Sequence, residues 1–382
     1  MENYAKMRYP EFLKEGGTIG FAAPSFGCNI EPYKSAFDNA LKLFSDRGYK
    51  TVLGPNCYAG EGIGISNTPE KCAAEFCDVY SSADSDIMIS CGGGELMCEI
   101  LPFIDWEGLK SASPKWFMGY SDNTNITYLM NTILDTAAVY GPCASNFGME
   151  PLSDSLEDAF KLLCGELSEV RNYPKWEKEG IKDEEHPLAP YNLTEDYHQR
   201  VFVPVNNPAN NAAVSSDQRG SVGSADQSAA VGGVRELTDG SSVRFSGRLI
   251  GGCVDCLCNL LGTRFDKTAE FLERYKDDGF IWFLECCDLN PMDMRRAFFH
   301  MREAGWFKYA KGFLIGRPLH FGEEMFGVDQ YNAVTDIIGE FGVPIVMDTD
   351  IGHLPPHMPV ISGAVAEVKL GDNEIGIRYI FK

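Results

Sequence analysis

A serine that follows an apolar run is the first group that could do chemistry. In W-F-M-G-Y-S-D-N-T-N-I-T-Y-L-M (116–130), the run ends at Gly119 and a helical pattern begins just after Ser121. Ser121 could cap that helix, which is the commoner use of such a serine. It could also be a nucleophile on a tight strand-to-helix turn, with the amide of Asp122 placed to donate to an oxyanion. G-Y-S-D-N lacks the second glycine of G-x-S-x-G, so the usual α/β-hydrolase motif is absent.

A nucleophilic serine needs a base, and the chain offers six histidines. His353 follows the apolar segment P-I-V-M-D-T-D on a loop shaped by Gly and Pro, where an α/β fold places catalytic groups. His357 lies four residues further on, but Pro355 and Pro356 rule out the helix that would bring both rings to one zinc ion. The sequence therefore favours His353 as the base. The other histidines are His186, His198, His300 and His320.

A histidine base is oriented in turn by a carboxylate, and Glu285 is the first candidate. It ends the apolar segment F-I-W-F-L-E (280–285), where a carboxylate is costly unless something pairs with it. Alternatively, Glu285 is a strand-end acid that meets solvent or a helix terminus. The rival carboxylates are Asp288, Asp348 and Asp350.

Glycine and cysteine clusters point to two further kinds of site. G-G-G (92–94) frees backbone amides for close approach to a ligand, which suits a second oxyanion donor. Neither G-x-x-x-x-G-K-[ST] nor G-x-G-x-x-G occurs at this position, so nucleotide binding by those motifs is unsupported. C-V-D-C-L-C (253–258) lacks a second C-x-x-C or a His pair, so we expect buried thiols on a helix rather than zinc ligands.

The elements that must position these groups alternate between short apolar runs and amphipathic stretches. This rhythm predicts an α/β fold with parallel strands and a ligand site beyond their carboxyl ends. The final segment alternates around G-D-N and predicts an antiparallel hairpin. The predicted strands lie within 17–25, 85–94, 115–121, 280–285, 312–317 and 344–350, and the predicted helices include 33–49, closed by Gly48, and 291–305.

Composition excludes several classes of partner. The 382 residues include 55 acidic and 33 basic ones, and a net charge of −22 argues against nucleic acid or an anionic membrane. The 13 cysteines are odd in number and scattered through apolar segments, which indicates reduced, mostly buried thiols. The first residues lack the apolar core of a signal peptide and no apolar run is long enough to span a membrane, so we expect a cytoplasmic protein.

The length predicts two domains joined by a segment of different character. We place an N-terminal α/β domain at 1–165, a linker and inserted segment at 166–245, and a C-terminal mixed α/β domain at 246–382, with the site between the two domains. Within the insertion, residues 206–233 are rich in Asn, Ser, Ala and Gly and cannot build a core. A segment of this kind is typical of a functional or disordered insertion.

Six motifs in the right order resemble the LD-carboxypeptidase family of serine peptidases. They are I-G-F-A-A-P-S; G-G-G with L-P-F-I-D; G-Y-S-D-N-T; G-R-L-I-G-G-C with L-L-G-T; F-L-E with R-R-A; and D-I-G-H with P-V-I-S-G-A. They run through nearly the whole chain. The Y-G-P element, the S-G-R-L-I-G-G-C form and the long insertion look more like the branch of microcin C self-immunity carboxypeptidases than the murein-recycling branch.

The resemblance implies a role for each matched residue. Ser121 would be the nucleophile, Glu285 and His353 would complete the triad, and the amides of Asp122 and Gly93 would form the oxyanion hole. It also implies hydrolysis of a terminal amide in a small peptide-like substrate, without a metal or organic cofactor, by a homodimer. The substrate would be a microcin C-type peptidyl or aminoacyl nucleotide, with Trp176 free to stack its base, or the L,D-bond of a murein tetrapeptide.

Two departures from the family pattern leave the substrate open. Cys253 stands where the family commonly has Asn in G-G-N, and C-G-G-G-E from Cys91 replaces R-G-G-Y-G. Two other classes of function are alternatives: a small-molecule binding module without chemistry, and an α/β-hydrolase-like esterase, which predicts a single large sheet. In a binding module, Ser121 would bond only to its own helix and His353 would lie beyond its reach.

Overall fold

The computed structural model describes residues 6–205, 233–238 and 240–382. Within these ranges the chain forms two large sheets with helices packed against them. The Asn-, Ser-, Ala- and Gly-rich stretch at 206–233 lies outside the described residues, apart from Gly233. In the described ranges, no helix is both long and apolar enough to cross a membrane.

The N-terminal part alternates strands and helices up to residue 163. Its strands are β1 (Thr18–Ala22), β2 (Lys50–Leu53), β3 (Ile87–Ser90), β4 (Trp116–Gly119) and β5 (Ala138–Tyr140). Its helices are α1 (Tyr33–Asp46), α2 (Pro69–Ser81), α3 (Trp106–Ser111), α4 (Thr124–Thr132) and α5 (Asp154–Leu163), with short 3₁₀ helices at Met97–Phe103, Ser121–Asn123 and Ala144–Gly148. The five strands are parallel to one another, in the order β5-β4-β3-β1-β2.

Next along the chain come short strands, most of which join the second sheet. They are β6 (Glu169–Arg171), β7 (Lys175–Trp176), β8 (Glu195–Asp196), β9 (Arg200–Pro204) and β10 (Val234–Glu236). β6, β9 and β10 lie toward the edges of that sheet, whereas β7 and β8 pair only with each other.

The C-terminal part builds the centre of the second sheet. Its strands are β11 (Val243–Cys253), β12 (Phe280–Glu285), β13 (Ala310–Gly316), β14 (Glu324–Met325), β15 (Val328–Asp329), β16 (Ile345–Thr349), β17 (Val360–Ser362), β18 (Val365–Gly371) and β19 (Glu374–Ile380). Its helices are α6 (Val254–Leu260), α7 (Thr268–Arg274), α8 (Pro291–Glu303) and α9 (Gln330–Ile338), with a 3₁₀ helix at Gly339–Phe341. β11, β12, β13 and β16 are parallel, and antiparallel strands flank them on both sides.

These two architectures confirm the predicted fold class, an N-terminal mostly parallel sheet and a C-terminal mixed one. β3 and β12 are buried along their whole length, because helices and neighbouring layers cover both faces of a parallel sheet. The predicted hairpin is also present. It turns through Asp372 and Asn373, which both have left-handed backbones (φ 49° and 61°), as a tight turn between antiparallel strands requires.

The two sheets meet through helix α4, whose residues are all buried. Its first residue, Thr124, accepts a hydrogen bond from the backbone N–H of Cys253 at the end of β11 (2.9 Å). Further along, the hydroxyl groups of Tyr128 and Thr268 are 2.7 Å apart. Strand β17 adds a second connection, since it pairs antiparallel with β5 and so completes the first sheet from the C-terminal part of the chain.

Candidate active site

The carboxyl ends of strands from both sheets converge on one place. Ser121 follows β4, the triglycine segment follows β3, Glu285 ends β12, and His353 lies four residues beyond β16. The position agrees with the expectation that a ligand site lies beyond the carboxyl ends of parallel strands.

Ser121 does not cap the following helix. It begins the 3₁₀ turn Ser121–Asn123, and no side-chain cap bond is made at the start of that turn or of α4. Instead its Oγ lies 2.9 Å from Nε2 of His353. Ser121 has φ +62°, a left-handed backbone that costs a non-glycine residue about 1 kcal/mol or more and that is typical of constrained functional positions.

His353 and Glu285 continue the series of contacts from Ser121. Nδ1 of His353 lies 2.9 Å from Oε2 of Glu285, which is fully buried. Because a carboxylate only accepts, Nδ1 carries the proton in this contact and Nε2 of the neutral ring faces the serine hydroxyl. The three side chains are therefore arranged as nucleophile, base and orienting acid would be.

The pKa values of Glu285 and His353 shift in opposite directions. Burial alone would raise the pKa of Glu285, but the nearby His353 and hydrogen bonds from His353 and Tyr140 outweigh it and lower that pKa. Burial would likewise lower the pKa of His353, but Glu285 and the thiol of Cys287 together raise it well above its ordinary value. Glu285 therefore stabilises positive charge on the His353 ring, which a base needs when it takes up a proton.

A tyrosine that the sequence analysis did not single out joins the two sheets at this point. The hydroxyl of Tyr140, at the end of β5, accepts the backbone N–H of Ser121 (3.2 Å) and donates to Oε1 of Glu285. Its only signal in the sequence is the Y-G-P element, which we used as a mark of the family branch and not as part of a site.

The close approach of His353 to Glu285 depends on Gly352. This residue has φ +119°, and a Cβ built on it would lie 2.9 Å from both Cβ and Oε2 of Glu285. Any side chain here would strain the backbone and displace the carboxylate, so only glycine fits.

None of the rival carboxylates occupies the place of Glu285. Asp350 forms a buried ion pair with Arg317. Asp348 accepts hydrogen bonds from Gln330 and Tyr331, each at 2.8 Å. Asp288 is exposed next to Cys287. Their partners hold them in structural contacts of the second sheet and its loops.

The two predicted oxyanion donors lie beside the serine. A Cβ built on Gly93 would be 3.3 Å from Oγ of Ser121, so this glycine lies next to the serine side chain. Asp122 follows Ser121 directly, and its side chain is turned into the protein, where it accepts hydrogen bonds from Ser25 (2.5 Å) and from the backbone N–H of Met97 (2.9 Å). Burial raises the pKa of Asp122 to about 6, although these hydrogen bonds oppose the shift.

The cysteines at the two departures from the family pattern are buried. Cys253 has its thiol 3.4 Å from Oδ2 of Asp255, and Cys91 lies beside Cys28, whose thiol donates to the Cys91 carbonyl (3.6 Å). Cys256 and Cys258 lie on helix α6, as expected. Among the residues that the structure describes, no three His, Cys, Asp or Glu side chains are grouped as a metal site.

Trp176 is packed against other side chains of the protein. It is 5% exposed, packs edge-to-face on Phe321 (5.0 Å between ring centroids), and lies under the guanidinium of Arg317. The segment that follows it does reach the site: the N–H of Glu177 donates to the carbonyl of Pro355 (2.7 Å), and Tyr191 lines a small cavity with His353.

Two matches to known domains place the chain in a family. Residues 19–141 match the LD-carboxypeptidase N-terminal domain and residues 246–368 match the LD-carboxypeptidase C-terminal domain. The chain therefore belongs to the LD-carboxypeptidase family, which confirms the resemblance stated from its motifs.

Proteins that resemble this chain in sequence and in structure include microcin self-immunity proteins. The microcin C7 self-immunity protein MccF of Escherichia coli is 23% identical over 371 residues, 96% of this chain and 94% of the relative. The structure of MccF in complex with glutamyl sulfamoyl guanosine has a TM-score of 0.73 at 20% identity and covers 97% of this chain and 98% of that one. A MccF-like protein from Streptococcus pneumoniae in complex with AMP has a TM-score of 0.69 at 21% identity, with 96% and 99% covered. At these identities the likeness establishes the fold.

Proposed function

We propose that this protein is a serine carboxypeptidase that hydrolyses the terminal amide of a small peptide-like substrate, with Ser121, His353 and Glu285 as its triad. The observation that carries the proposal is the series of contacts from Ser121 Oγ to His353 Nε2 (2.9 Å) and from His353 Nδ1 to Glu285 Oε2 (2.9 Å). A serine hydroxyl becomes a nucleophile at neutral pH when an oriented base can take its proton.

The reaction would proceed through an acyl-enzyme. Oγ of Ser121 attacks the amide carbon while Nε2 of His353 takes the hydroxyl proton, and Glu285 holds the ring and stabilises the imidazolium. The backbone N–H groups of Asp122 and Gly93 donate to the oxyanion. His353 then gives its proton to the leaving nitrogen and the C–N bond breaks. Water, activated by the same histidine, cleaves the ester and restores Ser121.

An aminoacyl or peptidyl nucleotide is our first candidate for the substrate. The support is the branch of the relatives, which include MccF in complex with glutamyl sulfamoyl guanosine and with aspartyl sulfamoyl adenosine. The amide between the aminoacyl group and the sulfamoyl nitrogen would be the bond hydrolysed. The L,D-bond of a murein tetrapeptide is the second candidate, because the family is named for that specificity.

The test compares wild type with Ser121→Ala on alanyl sulfamoyl adenosine and on a murein tetrapeptide, with product release followed by mass spectrometry. We expect wild type to cleave one of them and Ser121→Ala to lose about 10⁴- to 10⁶-fold in kcat. Ser111→Ala, at an exposed position at the end of α3, is the matched control and should keep full activity. Equal turnover by Ser121→Ala and wild type would refute the proposal.

Two observations bear on the alternatives. A binding module without chemistry would leave Ser121 bonded within its own helix, whereas here its hydroxyl meets His353. An α/β-hydrolase-like esterase would have one large sheet, whereas the described residues form a six-stranded and a nine-stranded sheet. Both observations favour the carboxypeptidase.

A further inference from the structure

One buried amide joins the turn that bears Ser121 to the triglycine segment. Asn123 is fully buried, and its Nδ2 lies 3.0 Å from the carbonyl oxygen of Tyr120 and 2.9 Å from that of Gly92. These two carbonyls belong to the residues that immediately precede Ser121 and Gly93. In the sequence Asn123 is only one letter of G-Y-S-D-N, and the proposed mechanism does not use it.

The two carbonyls fix which way the amide of Asn123 points. A carbonyl only accepts hydrogen bonds, so the NH2 group and not Oδ1 must face them. Both hydrogens of Nδ2 then have acceptors. Oδ1 is buried without a hydrogen-bond partner among the described residues, which folded proteins tolerate at few positions. The side chain therefore keeps its two donor contacts although its acceptor is unsatisfied.

On the serine side, Asn123 closes the strained turn. Its backbone N–H also donates to the carbonyl of Tyr120 (3.2 Å), so this oxygen accepts two hydrogen bonds from a single residue. The two bonds span Ser121, whose φ of +62° persists only if the surroundings hold it. Gly119 leaves the room that the side chain occupies, because a Cβ built there would lie 2.7 Å from Cγ of Asn123.

On the triglycine side, the same amide orients a peptide unit. A trans peptide is planar and its C=O and N–H point in opposite directions, so a hydrogen bond to the carbonyl of Gly92 also sets the direction of the N–H of Gly93. Oγ of Ser90 donates to the same carbonyl (3.0 Å), and the N–H of Phe26 donates to the carbonyl of Gly93 (2.8 Å). Gly93 is the predicted oxyanion donor that lies next to the side chain of Ser121.

We propose that Asn123 is a positioning residue, which fixes the distance and direction between the nucleophile and the N–H of Gly93. Being fully buried, it acts only through the two peptide units that precede Ser121 and Gly93. The inference rests on the proposed function, since it concerns the oxyanion that attack by Ser121 would generate. It predicts that loss of Nδ2 slows the acylation of Ser121 and leaves the binding of substrate nearly unchanged.

The test removes the donors of Asn123 and compares the result with the loss of an equivalent amide elsewhere. Asn131, toward the other end of α4, is the matched control. It is also fully buried, and its Nδ2 donates to the carbonyls of Thr136 (2.9 Å) and Ser362 (3.2 Å). Asn123→Leu and Asn131→Leu each remove two buried donor contacts between segments of the chain.

The first measurement is the labelling of Ser121 by a fluorophosphonate probe. Its rate reports on the alignment of the reacting groups, and its final extent counts the active share of the protein, so a partly unfolded variant still gives a rate. We expect Asn123→Leu to be labelled about 100-fold more slowly than wild type, since a small misalignment or a lost oxyanion donor has an effect of this size. Asn131→Leu should be labelled at the wild-type rate, although both variants unfold at a lower temperature.

A second variant and a second measurement separate alignment from packing. Asn123→Asp keeps the size of the side chain but lacks the NH2 group, so it should slow labelling at neutral pH by a similar factor. With alanyl sulfamoyl adenosine or the murein tetrapeptide, whichever wild type cleaves, kcat of both Asn123 variants should fall by about 100-fold while KM stays within about threefold.

Two results would overturn the positioning role. One is labelling of both Asn123 variants at the rate of Asn131→Leu. The other is a rise in KM at constant kcat, which would mean that Asn123 affects binding and not the chemical step. If wild type is labelled at Ser121 and the variants do not differ, the positioning role fails and the proposed function stands. If wild type is not labelled at Ser121, both fail.

Discussion

Ser121 in the first sheet and the Glu285–His353 pair in the second are held by different means. Ser121 is positioned by its backbone. It has φ +62° just after β4, and its N–H donates a hydrogen bond to the hydroxyl of Tyr140. Glu285 and His353 are positioned by a buried carboxylate that accepts a hydrogen bond from the histidine ring, in a close contact that the absence of a side chain at Gly352 permits. The side of the proposed nucleophile therefore depends on a strained backbone, and the side of the proposed base depends on the charge of Glu285.

Among changes that leave Ser121 in place, the largest effect should come from removing the charge of Glu285. Glu285→Gln keeps the shape but removes the charge that stabilises an imidazolium, and its NH2 group can donate to Nδ1 and so select the wrong tautomer of His353; we therefore expect about a 10⁴-fold loss. The measurement is the rate at which a fluorophosphonate probe labels Ser121, because it needs no knowledge of the natural substrate. Glu303→Gln, an exposed change on α8, is the control. A loss below tenfold would mean that the base side does not depend on its charge.

A second prediction compares how the stability contributions of Asp122 and His357 depend on pH. Asp122, behind the nucleophile, has a folded pKa of about 6 against about 4 in an unfolded chain. The folded state therefore holds more protons between these values, and this group's contribution to stability falls as pH rises through that window. His357, on the base side, has a folded pKa of about 4 against about 6.5 unfolded, so its contribution rises with pH over nearly the same window.

Single variants should separate these opposing contributions, each worth about 3 kcal/mol across the window. Relative to wild type, Asp122→Asn should gain stability as pH rises from 4 to 6.5, and His357→Gln should lose it. Urea unfolding at several pH values measures both. Variants whose pH dependence runs parallel to that of wild type would show that neither group titrates in this window.

The smallest effect should come from the group that joins the two sides. Tyr140→Phe leaves the N–H of Ser121 without a partner and removes one donor from Glu285, so we expect a loss of about 1–2 kcal/mol in stability and about tenfold in probe labelling. Tyr128→Phe is matched, because its hydroxyl also bridges the two parts of the chain, to Thr268, but away from the site. Tyr128→Phe should lower the stability of the protein and leave the rate of probe labelling unchanged. If both variants labelled at the same rate, Tyr140 would have only a packing role.

Much of this fold and site could be predicted from sequence because the signals are local. Apolar runs that end at Gly119, Glu285 and Asp350 mark strand ends, and parallel strands bring such ends to one edge. The choice between a capping and a nucleophilic Ser121 could not be made locally, since both uses have the same pattern. It depends on a contact between residues 232 positions apart.

Other groups were missed because their role depends on surroundings that no motif records. Tyr140 acts through an oxygen that reaches across the boundary between the sheets, to a partner 145 residues away. His357 was judged by its spacing to His353, whereas its notable property is a ring nitrogen, Nε2, that is buried without a hydrogen-bond partner among the described residues. Long-range contacts and desolvation are properties of the packed chain and not of its periodicity.

The place of β17 has a consequence for how this molecule can be divided. The chain leaves the second sheet at Thr349, passes through His353, adds Val360–Ser362 to the first sheet, and returns to the second at Val365. The segment that matches the N-terminal domain ends at residue 141, so by itself it would present β5 as an open edge with unpaired backbone groups. The two matched segments are units of sequence, but the first sheet is finished only by the second, and the loop that bears His353 is the piece of chain that crosses between them.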